Sequence, residues 1–222
     1  SVERMEKAIA NSQIIALPGG FSGGDEPDGS AKFITAFFRN PRVSEAVHGL
    51  LRQRDGLMIG VCNGFQALIK LGLLPYGEIR QMTAEDATLT YNVIGRHQSG
   101  LTRTRICANW SPWLMLNQVG DIHTVAISHG EGRFAAPQAL IDRLAANGQI
   151  AAQYVDETGA PSMDTAFNPN GSFCAVEGVT SPDGRIFGKM CHSERWGDNL
   201  YKNVPGNKDQ RLFEGAVRYY AL

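Results

Sequence analysis

The chain has 222 residues, 21 Lys plus Arg against 22 Asp plus Glu, and a net charge of -1. That length favours one domain with a substantial core, and without a basic excess nucleic acid is disfavoured as a partner. No apolar run approaches a membrane span and the first residues do not read as a secretory signal, so no membrane is expected.

The elements follow in order. Residues 1–12 predict a helix with Val2, Met5 and Ile9 on one face. "QIIAL" (13–17) has strand character and runs into "PGGFSGGDEPDGS", a loop with five glycines. Residues 30–39 and 42–54 predict two helices, the second restarted after Pro41. "GLMIGV" (56–61) is a continuous apolar run, as in a buried parallel strand, and an amphipathic helix follows from Asn63 to Leu71. Strand, glycine turn and helix are thus written twice, which argues an α/β sheet with ligand sites at the carboxyl ends of its strands. "TRTRICAN" and "HTVAISHG" read as strands, 137–146 as a helix and 150–155 as a short strand. "SFCAVEGVTSPDGRIFGKM" carries a hairpin signal, "PDG" between two alternating runs. A last helix is expected over "KDQRLFEGAVRYYAL", with Leu212, Ala216 and Tyr219 or Tyr220 on one face. No long linker divides the chain.

"GVCNGFQAL" (60–68) sets Cys62 between two glycines at a strand-to-helix turn. This is the form of a nucleophile elbow, with cysteine in place of serine. Glycines two positions either side remove side chains that would collide across the turn. The helix that follows aims its N-terminus at the sulfur and favours the thiolate, and the Asn63 N–H is free to donate to an oxyanion. The bland alternative is a small buried cysteine at a tight turn. The other cysteines, Cys107, Cys174 and Cys191, form no CxxC pair, which favours reduced thiols and the cytoplasm.

A thiol nucleophile needs a proton partner, and five histidines are available. His48 sits mid-helix among polar residues and is expected to be exposed. His97 lies in a polar stretch, and His123 opens an apolar strand as a structural residue. His192 is followed by Ser193 and Glu194. In an extended segment residues i and i+2 share a side, so Glu194 could fix the His192 tautomer and complete a triad. Adjacent Cys191 and His192 would point to opposite faces of a strand, so no metal site is expected there.

These residues resemble a class I, or triad, glutamine amidotransferase. Within that class the chain is most similar to the glutaminase domains of phosphoribosylformylglycinamidine (FGAM) synthases. The segments that carry the resemblance are "LPGGFSGGD" (17–25), "GVCNGFQALIKLGLLP" (60–75), "SPW" (111–113), "ISHGEGRF" (127–134), "NPNGS" (168–172) and "GKMCHSER" (188–195). The resemblance implies a flavodoxin-like α/β fold, a mostly parallel sheet flanked by helices, with the antiparallel hairpin near the C-terminus. It implies hydrolysis of L-glutamine to glutamate and ammonia, through a thioester on Cys62. His192 would move the proton and Glu194 would orient it, while Gly20 and Asn63 N–H groups would form the oxyanion hole. Phe65, Gln66, His129, Gly130 and Glu131 would contact substrate. Ammonia would pass to an FGAM synthetase domain or subunit that binds ATP and Mg. No cofactor is expected on this chain, which has no GxxxxGK[ST] motif. Asp25, Glu26 and Asp28 would repel phosphate from the glycine-rich loop.

Two departures stand out. Many members carry HPE where this chain has His192-Ser193-Glu194. The family domain also opens with a strand and turn before its first helix, so residues 1–222 are expected to be a C-terminal fragment of a longer chain lacking that strand. Two other functions stay open: a cysteine-elbow hydrolase resembling the intracellular protease and deglycase group, which usually lacks a late HxE, and a non-catalytic domain that docks on a synthetase.

Overall fold

The computed structural model describes residues 2–20 and 29–221, so Asp25, Glu26 and Asp28 lie outside the described residues. The chain opens with α1 (Val2–Ala10), which buries Ile9. Arg54 closes its C-terminal end by donating to the carbonyls of Ile9, Ala10 and Ser12. Strand β1 (Ile14–Leu17) follows, then α2 (Lys32–Phe38) and α3 (Pro41–Gln53). Pro41 stands in the first turn of α3, where its missing N–H costs nothing, and Asn40 Oδ1 accepts the Arg42 N–H at 3.1 Å. His48, expected on an exposed face, is half-buried, and its Nε2 accepts the Ile79 N–H at 3.0 Å.

Strand β2 (Leu57–Val61) is buried at every residue and leads into α4 (Asn63–Leu71). The amphipathic pattern expected of α4 is not what the fold uses: every residue but Lys70 is buried, because the helix packs against α2, β1, β2 and other strands at once. A short broken turn, α5 (Leu73–Tyr76), leads to β3 (Thr88–Thr90). Then come β4 (Gln98–Ile106), β5 (Ile122–His129), β6 (Arg133–Ala135), α6 (Gln138–Ala146) and β7 (Ile150–Tyr154). The chain ends with β8 (Val176–Thr180), β9 (Ile186–Lys189) and α7 (Leu212–Tyr219).

Seven strands form one sheet in the order β1-β2-β9-β8-β7-β4-β5. The pairs β1–β2 and β2–β9 are parallel, and the remaining neighbours are antiparallel. Following those pairings, β1, β2, β9, β7 and β5 point one way and β8 and β4 the other, so the strand directions are mostly parallel. The expected hairpin is β8–β9, with Gly178 opposite Lys189. Trp113 and Ser111 brace its turn from the "SPW" segment: Trp113 Nε1 donates to the Arg185 carbonyl and Ser111 Oγ to the Gly184 carbonyl. Strand β1 is a sheet edge and pairs with β2 alone among the described residues.

Two further features differ from the sequence reading. Strands β3 and β6, an antiparallel pair apart from the main sheet, were not foreseen, because three residues are too few for a periodic signal. Helix α7 starts at Leu212 and not at Lys208, since Arg211 takes a left-handed conformation with φ of 50°. Among the described residues no helix is long and apolar enough to cross a membrane. The four cysteines are free thiols.

Candidate active site

The site is built at the carboxyl end of β2. Cys62 stands between β2 and α4 with φ of 52° and ψ of -108°, outside the regions an L-residue favours. Such a conformation costs of order 1–3 kcal/mol and persists only where the surroundings impose it. The two flanking glycines permit it. A Cβ on Gly60 would lie 2.6 Å from the Gly64 carbonyl oxygen, and one on Gly64 would lie 2.0 Å from the Leu17 carbonyl oxygen. The turn therefore closes only because both side chains are absent, and α4 then rests directly on the end of β1.

The backbone amides of Asn63 and Gly20 lie on the sulfur side of Cys62 and favour its thiolate. The Asn63 side chain ties those two donors together, with Nδ2 donating to the Gly20 carbonyl at 2.8 Å. Gly20 has φ of 103°, which a side chain would resist. The Cys62 thiol itself lies 3.8 Å from the Ser128 carbonyl on β5. A helix terminus by itself favours thiolate. In the structure burial outweighs it: desolvation pushes the Cys62 thiol up, against the two amides and the Arg195 charge, with Glu194 adding to the rise. Burial thus opposes the thiolate, and a base beside the sulfur is needed to form it.

His192 supplies an imidazole beside it. Its backbone N–H donates to Ala126 on β5 at 2.8 Å, which stitches the segment after β9 onto that strand. A Cβ on Gly19 would lie 2.6 Å from His192 Cε1 and 3.1 Å from Cys62 Cβ. Imidazole and cysteine thus both lie against the same backbone glycine. His192 Nδ1 meets Glu194 Oε1 at 2.6 Å, while Nε2 is buried without a hydrogen-bond partner among the described residues. The route by which Glu194 arrives differs from the expected one. Residues 193–195 form a single 3-10 turn rather than extended chain, and the turn curls the carboxylate back onto the ring. Burial works to raise the Glu194 carboxyl, but the hydrogen bond to His192 and the charges of His192 and Lys189 bring it below its ordinary value.

The other expected contacts divide. Gln66 is buried on α4, and its Nε2 donates to the Glu131 carbonyl. Glu131 Oε2 accepts the Ser30 hydroxyl at 2.8 Å, and Lys70 Nζ donates to the Ser30 carbonyl, so the end of the glycine-rich loop is clasped to α4. The Gly130 carbonyl accepts the Asn92 N–H at 2.9 Å. The Phe65 and His129 side chains are engaged inside the protein. The Phe65 ring is wholly buried against Gly188, whose Cβ would come within 2.2 Å of it. His129 is buried with Nε2 on Asn170 Oδ1, and burial holds its pKa down to about 4. Asn170 also donates to Gly132 O and Tyr154 Oη, so "NPNGS" braces the "SHGEG" turn from behind. The strand pattern alone could not tell which of these residues faced inward.

Sequence reasoning missed the closeness of Gly19, the clasp through Ser30 and Lys70, and the buried Lys189. A cation inside the apolar run "RIFGKM" was the available signal for the last.

An α/β sheet with a cysteine elbow and a histidine–glutamate pair at adjoining strand ends defines the broad class of cysteine-elbow hydrolases and amidotransferases. The chain belongs to the CobB/CobQ-like glutamine amidotransferase domain family, whose pattern matches residues 1–220. It is 32% identical over 203 residues to phosphoribosylformylglycinamidine synthase subunit PurQ of Synechococcus elongatus, covering 90% of this chain and 78% of that one. The PurQ subunit of Gloeobacter violaceus is 32% identical over 212 residues, covering 96% and 82%. Among solved structures, PurLQS from Thermotoga maritima superposes with a TM-score of 0.69 at 24% identity, covering 95% of this chain and 81% of that chain. The glutaminase domain of Trypanosoma brucei CTPS, with bound acivicin, gives 0.52 at 17% identity, covering 97% and 75%. The two structural likenesses carry the fold alone. The family match sets the chain among amidotransferases and not with the deglycase group.

Proposed function

We propose that this chain is the glutaminase component of a phosphoribosylformylglycinamidine synthase. It hydrolyses L-glutamine and hands ammonia to a synthetase partner in purine biosynthesis. The PurQ relatives support the assignment. The observation that carries the chemistry is that Cys62 and His192 both come up against Gly19.

In this reading His192 Nε2 takes the Cys62 proton, and the sulfur attacks the side-chain amide carbon of glutamine. The carbonyl oxygen gains negative charge and is received by the Gly20 and Asn63 N–H groups, which favour negative charge at this point. Removing one such donor typically costs about 2.7–4 kcal/mol of transition-state stabilisation. The imidazolium returns its proton to the departing nitrogen, ammonia leaves, and a γ-glutamyl thioester remains. Water, deprotonated by the same imidazole, attacks that carbon, and glutamate leaves as the thiol is restored. Glu194 on Nδ1 holds the tautomer that keeps Nε2 facing the reaction and steadies the imidazolium. Gln66, Gly130 and Glu131 form the substrate side, with the Glu131 carboxylate matched to an α-ammonium. ATP and Mg belong to the partner, which activates the acceptor of the ammonia, and the assembly is cytoplasmic.

The test is ammonia release from glutamine, with and without the synthetase. Little turnover is expected from the chain alone and full turnover in the assembly. Rapid hydrolysis by the free chain would contradict the coupling, and no hydrolysis in the assembly would sink the proposal.

A further inference from the structure

Lys189 ends β9, and its side chain is only 1% exposed. An ammonium taken out of water must be matched by close partners. Its Nζ donates to Ser193 Oγ and to Gln210 Oε1, each at 2.6 Å, and lies 3.5 Å from Glu177 Oε1. The Ser193 hydroxyl also donates to Gln210 Oε1. Gln210 is held in turn, with Nε2 toward Thr104 Oγ1 at 3.4 Å and its carbonyl accepting Asn117 Nδ2 at 2.8 Å. Glu177 is wholly buried on β8, and its Oε1 accepts the Cys191 N–H at 2.9 Å.

The cluster therefore grips the chain on both sides of His192. Glu177 holds the amide at 191, and Lys189 with Gln210 holds the hydroxyl at 193. A buried ion pair is weak support for stability, since apolar side chains of equal volume often serve as well or better. Its placement here suggests another use. Ser193 opens the 3-10 turn that brings Glu194 back to the imidazole. Proline at this position would fix its own φ and is tolerated at the start of a helical turn. In this chain a hydrogen bond to a buried ammonium takes the place of that covalent restraint.

We propose that Lys189, acting through Ser193 and Glu177, is a positioning residue that holds the His192–Glu194 pair in its working geometry. The inference rests on the glutaminase reading above. The parent assembly is therefore assayed first: no turnover there would mean that reading has failed, whereas an active parent with indifferent variants would mean only this inference has.

The experiment is steady-state glutamine hydrolysis by the assembled enzyme carrying Ser193→Ala, Ser193→Thr or Ser193→Pro. Misplacing a reacting group by about 1 Å can cost about a hundredfold in rate. Ser193→Ala is expected to lower kcat roughly tenfold to a hundredfold with KM little changed. Ser193→Thr keeps the hydroxyl and Ser193→Pro keeps the bend, so both are expected to restore most of kcat. A purely structural polar network would not be rescued by proline. Lys189→Met alone would strand the Glu177 carboxylate, so it is combined with Glu177→Leu. That double variant is expected to remain folded and to show the same kcat loss. Parental kcat in Ser193→Ala or in the folded double variant would overturn the proposal, as would a Ser193→Ala loss that proline does not restore. If the double variant does not fold, the Ser193 series decides.

Discussion

Gly19 is the narrowest point of the site. Any side chain there would meet both the His192 ring and the Cys62 Cβ. Gly19→Ala must push the imidazole or the elbow aside, and the ring, standing on a segment beyond its sheet strand, is the easier of the two to move. We expect Gly19→Ala to lower kcat for glutamine hydrolysis about a hundredfold, measured as ammonia release by the assembled enzyme. Near-parental kcat would mean that the ring and the sulfur do not work together at that glycine. Gly19 belongs to a loop motif in which nothing in its type or spacing distinguishes it from Gly20. Its role comes from what lies against it in space.

At the level of elements, the elbow depends on backbone contact. Because a Cβ on Gly64 would sit 2.0 Å from a main-chain oxygen, the change Gly64→Ala requires α4 to move off β1. Overpacking of this kind typically costs about 1–3 kcal/mol. Urea unfolding should show a lowered midpoint with unchanged slope. An unaltered midpoint would mean the turn relaxes freely. This part of the fold was legible in the sequence, because glycines at fixed offsets and an apolar run are local signals. The same holds for the β8–β9 hairpin, marked by its turn residues, and for α3, marked by Pro41. What was not legible depends on tertiary context. The Glu194 contact was expected on a strand's period of two, and the correct partner was reached through the wrong geometry. The fold used a 3-10 turn whose signal lies in Lys189 and Gln210, not in the three residues themselves. Phe65 and His129 sit inside matching motifs, but a motif does not reveal which way a side chain turns when both sides of its element are buried.

At the scale of the whole molecule, buried imidazoles link stability to pH. Desolvation lowers the pKa of His129 to about 4, and it also lowers those of His48 and His123. Below their ordinary value of 6.5 the unfolded chain binds protons that the native chain refuses. The contribution of these groups is thus complete above pH 6.5 and is lost as pH falls toward the folded values. For His129 alone the loss between 6.5 and about 4 is about 3 kcal/mol. Urea titrations across that window should show stability falling with pH, and His129→Gln should flatten the slope by about one proton. A parental slope in that variant would place the linkage elsewhere. The depressed carboxyl of Glu194 acts in a lower window: its contribution is present above the ordinary carboxylate range and is lost as pH falls through the folded value.

Every step of the reaction requires the thiol of residue 62 to be the atom that takes the γ-acyl group. The direct measurement is covalent labelling by a chloromethyl ketone shaped like glutamine, followed by peptide mapping of all four cysteines. Label confined to Cys62, slowed by added glutamine and lost in Cys62→Ala, is the outcome this structure requires. Label on Cys107, Cys174 or Cys191 instead, or labelling of Cys62 that glutamine does not slow, would contradict it.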